Sequence, residues 1–357
     1  MYARDTKKLL QFGLVMVIFL IAATACFPDY KGVFINMDTV GTTSDGVNYD
    51  KNDILFLDLA GGNSPVANYT SNWITVFDGE DYGLNDAKHD ISAFSFNEQT
   101  FDYIFLGNEL DTDEELYLSF EANRTKIPGI FPTWVYGQDI VKFTNGAPNN
   151  AGYEYEMFFD GSDVGLTTMS EKVDGISVWP PEYYEVLAAD VDFPYDCNAG
   201  VIFLSTRGRY RVNNNQGGFL VGDGSDVLAF CATNLGYNTA GFWFRAFDGS
   251  EANIDPPNAL TGLDVIDVDY YGITSNVDSG TIDNGITFLF TPRRDFTGDT
   301  EGGGTLYGQA SELNAGIKDG NHHYLDGPFW NFNEDGSYPA VNGFVENISL
   351  LDMPSFP

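Results

Sequence analysis

Two short strings return along this chain with the same period, and few folds accommodate that. Phe77-Asp78-Gly79-Glu80-Asp81-Tyr82-Gly83-Leu84 recurs as Phe159-Asp160-Gly161-Ser162-Asp163-Val164-Gly165-Leu166 and, shortened, as Phe247-Asp248-Gly249-Ser250, at spacings of 82 and 88 residues. Asp53-Ile54-Leu55-Phe56 recurs as Asp139-Ile140-Val141-Lys142-Phe143 and Asp226-Val227-Leu228-Ala229-Phe230, at 86 and 87. Two markers sharing one period identify a repeated supersecondary unit. Each unit holds two further apolar runs of strand length, 33–36, 116–119, 202–205 and 287–290 in one series and 91–94, 173–176, 263–266 and 345–348 in the other. In the fourth unit the middle strands, around Leu306-Tyr307 and Phe329-Trp330-Asn331-Phe332, keep their aromatics and lose the Asp marker.

The expected fold is therefore all-β: four four-stranded repeats, about 33–96, 115–179, 200–268 and 286–351, in one domain spanning 33–351. One twisted four-stranded sheet leaves both faces uncovered, whereas sheets packed radially bury each face against a neighbour and leave only short edges. That arrangement is a four-bladed β-propeller-like ring. The order of strands resembles propeller-like repeats of uncharacterised bacterial exported proteins, a likeness that implies a fold and no activity. The chain enters at the second strand of a unit and leaves at the first, so pairing of N- and C-terminal strands would close the ring. A mixed β-sandwich or an open array of the units is the alternative.

Residues 1–25 read as a signal peptide. Arg4, Lys7 and Lys8 precede an apolar run, 9–23, that is short for a membrane span. The run ends in Ala23-Thr24-Ala25-Cys26, which resembles the lipobox of bacterial lipoproteins, with Ala23 where Leu is usual. The resemblance implies lipidation of Cys26, a tether over 26–32, and an exported domain held to the cell envelope through the membrane; ordinary cleavage after Ala25 is the alternative. Cys197 and Cys231 remain, in an oxidising compartment, and an antiparallel pairing of 201–206 with 226–230 would bring them together as a disulfide.

Charge narrows the partners. The chain carries 52 acidic and 17 basic residues, a net −35; loss of residues 1–25, with three bases and one acid, takes this to −37. Such a surface repels phosphate backbones, so nucleic acid is not expected as a partner. With the 91–94 series innermost, Ser92, Asp174, Asp264 and Glu346 would occupy equivalent positions, and Asp174, Asp264 and Glu346 near one axis are candidate ligands for Ca²⁺. The competing reading has each carboxylate accept main-chain N–H bonds in its own unit. Asp53, Asp139 and Asp226 read as fasteners between turn and strand, and the Phe-Asp-Gly loops as turns, since their spacing departs from that of an EF-hand.

His322-His323 is expected in an exposed polar loop, and no zinc ligand set accompanies it or His89. Trp134, Tyr183, Tyr184, Trp243 and Trp330 could stack on sugars or fill the spaces between sheets. No Ser-His-Asp order, nucleophile elbow or phosphate loop is present. The function these features favour is a lipid-anchored, non-catalytic surface module binding a protein or glycan. The alternative is an extracellular polysaccharide hydrolase using carboxylates at the axis.

Overall fold

The computed structural model describes residues 31–37, 40–43, 46–58, 72–96, 115–130, 134–145, 155–181, 197–214, 217–249, 260–267, 286–292, 306–311, 318–325, 332–333, 341–342 and 345–352; side chains are described within 34–56, 73–96, 115–181 and 197–249 of these. The strands in chain order are β1 (Lys31–Met37), β2 (Gly41–Thr42), β3 (Asn48–Tyr49), β4 (Ile54–Asp58), β5 (Asn72–Phe77), β6 (Ile91–Phe96), β7 (Glu115–Phe120), β8 (Ile140–Thr144), β9 (Tyr155–Phe159), β10 (Val173–Trp179) and β11 (Val201–Thr206). There follow β12 (Tyr210–Asn213), β13 (Phe219–Gly222), β14 (Val227–Asn234), β15 (Ala240–Phe247), β16 (Leu260–Asp267), β17 (Ile286–Pro292), β18 (Leu306–Ser311), β19 (Lys318–Leu325), β20 (Phe332–Asn333), β21 (Val341–Asn342) and β22 (Val345–Asp352).

The protein is all-β, built of small sheets that are antiparallel but for the two-residue β20–β21 pair. Four of them have four strands, in the orders β22-β1-β4-β5, β6-β7-β8-β9, β10-β11-β14-β15 and β16-β17-β18-β19. The first joins the two ends of the chain, β1 pairing with β22 from Lys31↔Asp352 to Met37↔Val345. The ladders do not run on from sheet to sheet, so among the described residues no closed ring of hydrogen-bonded strands forms. The third sheet carries an insertion, the β12–β13 hairpin between its second and third strands.

Burial grades across the second and third sheets. Every residue of β6 and of β10 is buried, whereas β9, an outer strand, alternates, with Glu156 exposed between buried Tyr155 and Met157. A strand buried on both faces needs apolar or small residues throughout, and β6 supplies them as Ile-Ser-Ala-Phe-Ser-Phe. Aromatics fill the spaces between sheets. Phe34 of β1 meets Phe96 of β6 with ring centroids 4.5 Å apart, and Phe159 of β9 meets Phe230 of β14 and Trp243 of β15 at 5.2 and 6.0 Å. Each such ring, fully buried, contributes about 2–3 kcal/mol by area.

Bulges recur at matching places. Between first and second strands the register shifts at Ser92, Asp174, Thr261 and Glu346; between third and fourth it shifts at Val76, Phe158 and Ala246. A bulge at the same point of each sheet adds the same extra twist, which suits sheets that stack face to face. His322 and His323 lie in β19, opposite Gly308 and Tyr307 of β18, and not in the loop expected from the polar run around them.

Candidate functional site

The two sequence markers meet in space as one device. Asp139 precedes β8; its Oδ2 accepts from Tyr136 N at 2.8 Å and its Oδ1 from Gly161 N at 3.1 Å, so the marker Asp holds the Gly of the Phe-Asp-Gly marker. Asp53 does the same with Asp50 N (2.7 Å) and Gly79 N (3.1 Å), and Asp226 with Asp223 N (3.4 Å) and Gly249 N (3.0 Å). The glycine is dictated by close approach. A Cβ on Gly161 would stand 2.3 Å from the Gln138 carbonyl oxygen, on Gly79 2.5 Å from that of Asn52, and on Gly249 2.0 Å from that of Ser225. The loop then turns through Gly83 or Gly165 at φ 82° or 102°, where L side chains are strained, and drops Leu84 or Leu166 into the core.

These carboxylates are electrostatically unusual. Burial pushes Asp139 up to about 7 and Asp53 to about 6, against the pull of the main-chain N–H donors. Asp226 is also raised by burial, offset in part by the Tyr210 hydroxyl, 2.8 Å from Oδ2, and by the Arg245 guanidinium at 3.6 Å. Perturbed carboxyls mark many active sites. Here each has both oxygens engaged by main-chain N–H groups, the arrangement of a structural clamp.

A second set of polar residues sits on the first strands. Ser92 Oγ donates to Val173 O at 2.9 Å, and Val178 N donates to Ser95 Oγ at 3.1 Å, so two hydroxyls of β6 stitch it to β10 of the next sheet. Asp174, in the bulge of β10, is buried and engaged. Its counterparts by register are Ser92, Thr261 and Glu346, because Gly175 faces Ser205 as Gly262 faces Thr291. Asp264 belongs instead with Ser95, Ser177 and Ser349. The expected level of Asp174, Asp264 and Glu346 is therefore corrected: Asp264 lies three residues, roughly 10 Å, further along its strand. Matching Leu-Asp-Val-Ile to Val-Asp-Gly-Ile followed the Asp, whereas the bulge and the Gly after it fix the true register. Among the described residues no three side chains are grouped as metal ligands; the side chains of Asp264 and Glu346 lie outside them.

Cys197 and Cys231 form a disulfide, their Cα atoms 5.0 Å apart, with Cys231 opposite Val201 in the β11–β14 ladder. Cys26, Tyr183, Tyr184 and Trp330 lie outside the described residues. Trp243 is buried between sheets and donates to Val164 O at 2.9 Å, which makes it packing and not a platform for sugar. His89 is buried too; its Nδ1 accepts from Asp86 N and its Nε2 faces Lys126 O, a pairing met by the neutral ring with the proton on Nε2.

Sequence reasoning missed two groups. One is Tyr210 and Arg245 around Asp226, which the β12–β13 insertion brings together; the signal was the run Asn214-Asn215-Gln216-Gly217-Gly218 between two short alternating segments. The other is a set of cations stacked on aromatic rings. Arg211 lies 3.6 Å from the centroid of Phe219, and Arg124 and Lys126 lie 4.6 and 5.0 Å from that of Trp134. Compared with protein-family models and with curated proteins, the chain matches none.

Proposed function

We propose that the chain is an exported protein, anchored to the cell envelope through lipidated Cys26, whose β domain is a four-bladed propeller-like ring serving as a non-catalytic binding or scaffold module. The observation that carries the non-catalytic reading is the burial of Asp53, Asp139 and Asp226 as backbone clamps. Each is buried with both oxygens accepting main-chain N–H groups, and a general acid or base must stand within reach of substrate. The ring is supported by neighbour relations among the first strands: β6 lies against β10, β10 against β16, β16 against β22, and β22 against β6. It is supported also by the pairing of β1 with β22, which would otherwise leave a seam. Anchoring is supported by Ala23-Thr24-Ala25-Cys26 and by the four residues between Cys26 and the start of β1.

Two measurements test this. Wild type should partition into detergent and take up labelled palmitate, while Cys26→Ser should do neither; equal behaviour sinks the anchor. Incubation with a panel of polysaccharides, scoring retention and released reducing ends together, should show retention without release. Release that disappears in a carboxylate variant with unchanged melting would make the protein a hydrolase.

A further inference from the structure

In a chain with three carboxylates to every cation, a cation without a carboxylate partner is unexpected. Lys51, Lys142, Lys172, Arg207 and Arg245 follow expectation, each beside an Asp or Glu. Lys88, Arg124, Lys126, Arg209 and Arg211 do not: all five are exposed, and among the described residues none forms an ion pair with an Asp or Glu. Three of them rest on aromatic faces instead, two on Trp134 and one on Phe219. Nearby Glu171 makes no ion pair with Arg211's guanidinium. It is buried, and its two oxygens accept from Thr167 N, Thr168 N and the main-chain N of Arg211.

These cations share one end of the molecule, where second strands finish and third strands begin. Large exposed apolar side chains gather there as well. Phe219 and Val221, 56% and 55% exposed, share the solvent face of the β12–β13 hairpin with Arg211 and Asn213. Met169 is exposed beside it, since Ser170 bonds both Gly208 and Arg209. The Trp134 loop belongs to the neighbouring sheet, whose Glu121 pairs with Arg207 and Lys172.

We propose that this end is a binding face for an acidic polysaccharide, a polymer of sugar rings bearing carboxylates. A pyranose offers an apolar CH face to an aromatic ring and, if a uronic acid, a carboxylate to the guanidinium beside it. The cation–aromatic pairing occurs twice on one end, as a ligand with a repeating unit requires and a single peptide contact does not. Orientation favours an external ligand. Asn36, near the close of β1, bonds Lys51 O, which accepts from Ile91 N at the start of β6; Ser92 bonds Val173, which faces Thr206 at the close of β11. The hairpin end is thus opposite Lys31, where β1 begins. Five residues reach roughly 18 Å at most, so the proposed anchor would hold the far end to the bilayer and turn this face outward.

The inference rests on the binding-module reading, and its test separates the two. Full-length chain in nonionic detergent is titrated with sodium polygalacturonate, neutral dextran and poly-glutamate. Polygalacturonate should bind and dextran should not, with poly-glutamate weaker by about tenfold for want of a ring to stack. The Arg209→Gln/Arg211→Gln variant should weaken polygalacturonate by at least about tenfold and Phe219→Ser by about fivefold, both with wild-type melting, since all three side chains are exposed. Undiminished binding by either variant, or poly-glutamate binding as tightly as polygalacturonate, overturns the proposal, the latter in favour of an acidic peptide. Another glycan or a protein binding equally to wild type and all variants, while polygalacturonate fails, overturns this face and leaves the binding module standing.

Discussion

The second and third sheets hold the same carboxylate in the same place and surround it differently. Asp139 and Asp226 each precede the third strand, and each bonds the N–H three residues back and the N–H of a Phe-Asp-Gly glycine. Around Asp139 the other charges are Asp160 and Asp163, both of which raise it further. Around Asp226 stand Tyr210 and Arg245, the latter tied also to Asp248 and to Val221 O. The backbone geometry is thus independent of the electrostatics, which the inserted hairpin rewrites in the third sheet. The clamp's conserved part is the pair of N–H donors, and the counter-charge is an addition that ties the hairpin to its sheet.

The sharpest break comes from deleting the two carboxylates. Asp226→Ala strands two main-chain N–H groups and the Tyr210 hydroxyl and takes one of its two carboxylates from the Arg245 guanidinium, and should cost about 4 kcal/mol; Asp139→Ala strands two N–H groups and removes an unfavourably buried charge, and should cost about 3 kcal/mol. Urea melts decide it. Equal losses would mean that Tyr210 and Arg245 add nothing to the clamp.

Acidity should sharpen the same contrast. Asp139 is raised above its unfolded value of 3.8 to about 7, so from about pH 4 to 7 the folded state holds a proton that the unfolded chain has released. Its contribution is complete below pH 4 and is lost as pH rises towards 7, up to about 4 kcal/mol at most. Subtracting the Asp139→Asn stability curve from that of wild type isolates this slope from the general relief of acidic repulsion. A flat difference across the window would show that Asp139 stays ionised, its N–H donors outweighing burial.

Much of this was legible in the chain itself, because the information is local. Short apolar runs recurring at one period placed the first, second and third strands of the early units, and the recurring Asp and Gly marked the clamp before its partners were known. What sequence hid is what depends on register or insertion. Asp264 was misplaced because a bulge residue is identified only by what lies across the ladder, and the bulged position in that strand is Thr261. The hairpin was overlooked since four-residue strands carry too little pattern, and with it went Tyr210 and the patch of Arg209, Arg211 and Phe219. His322 and His323 look like loop residues by composition and are held in β19 by pairing with β18.

The third sheet is also the one with a covalent tie. Cys197–Cys231 closes a segment of 34 residues that contains β11 and the whole hairpin. Replacing both by Ser should cost roughly 3–4 kcal/mol from the entropy of the longer unfolded loop. Hydrogen exchange should then rise in 201–231 before it rises in β6–β9. Uniform acceleration would mean that the sheets unfold as one unit and that the comparison between them has no energetic content.

The smallest effect tests the hairpin's link alone. Tyr210→Phe removes one hydroxyl, buried and 2.8 Å from Asp226 Oδ2, and leaves the ring in place between hairpin and sheet. The two N–H bonds and the ion pair with Arg245 persist, so the loss should be about 1–1.5 kcal/mol, the range for a hydrogen bond to a partly compensated charge. Made in an Arg245→Met background, the same change should cost more, because the hydroxyl is then the carboxylate's only side-chain donor among the described residues. If the two losses simply add, hydroxyl and guanidinium hold Asp226 independently. If the second exceeds the first by about 1 kcal/mol, each covers for the other, and the hairpin is docked through one shared charge.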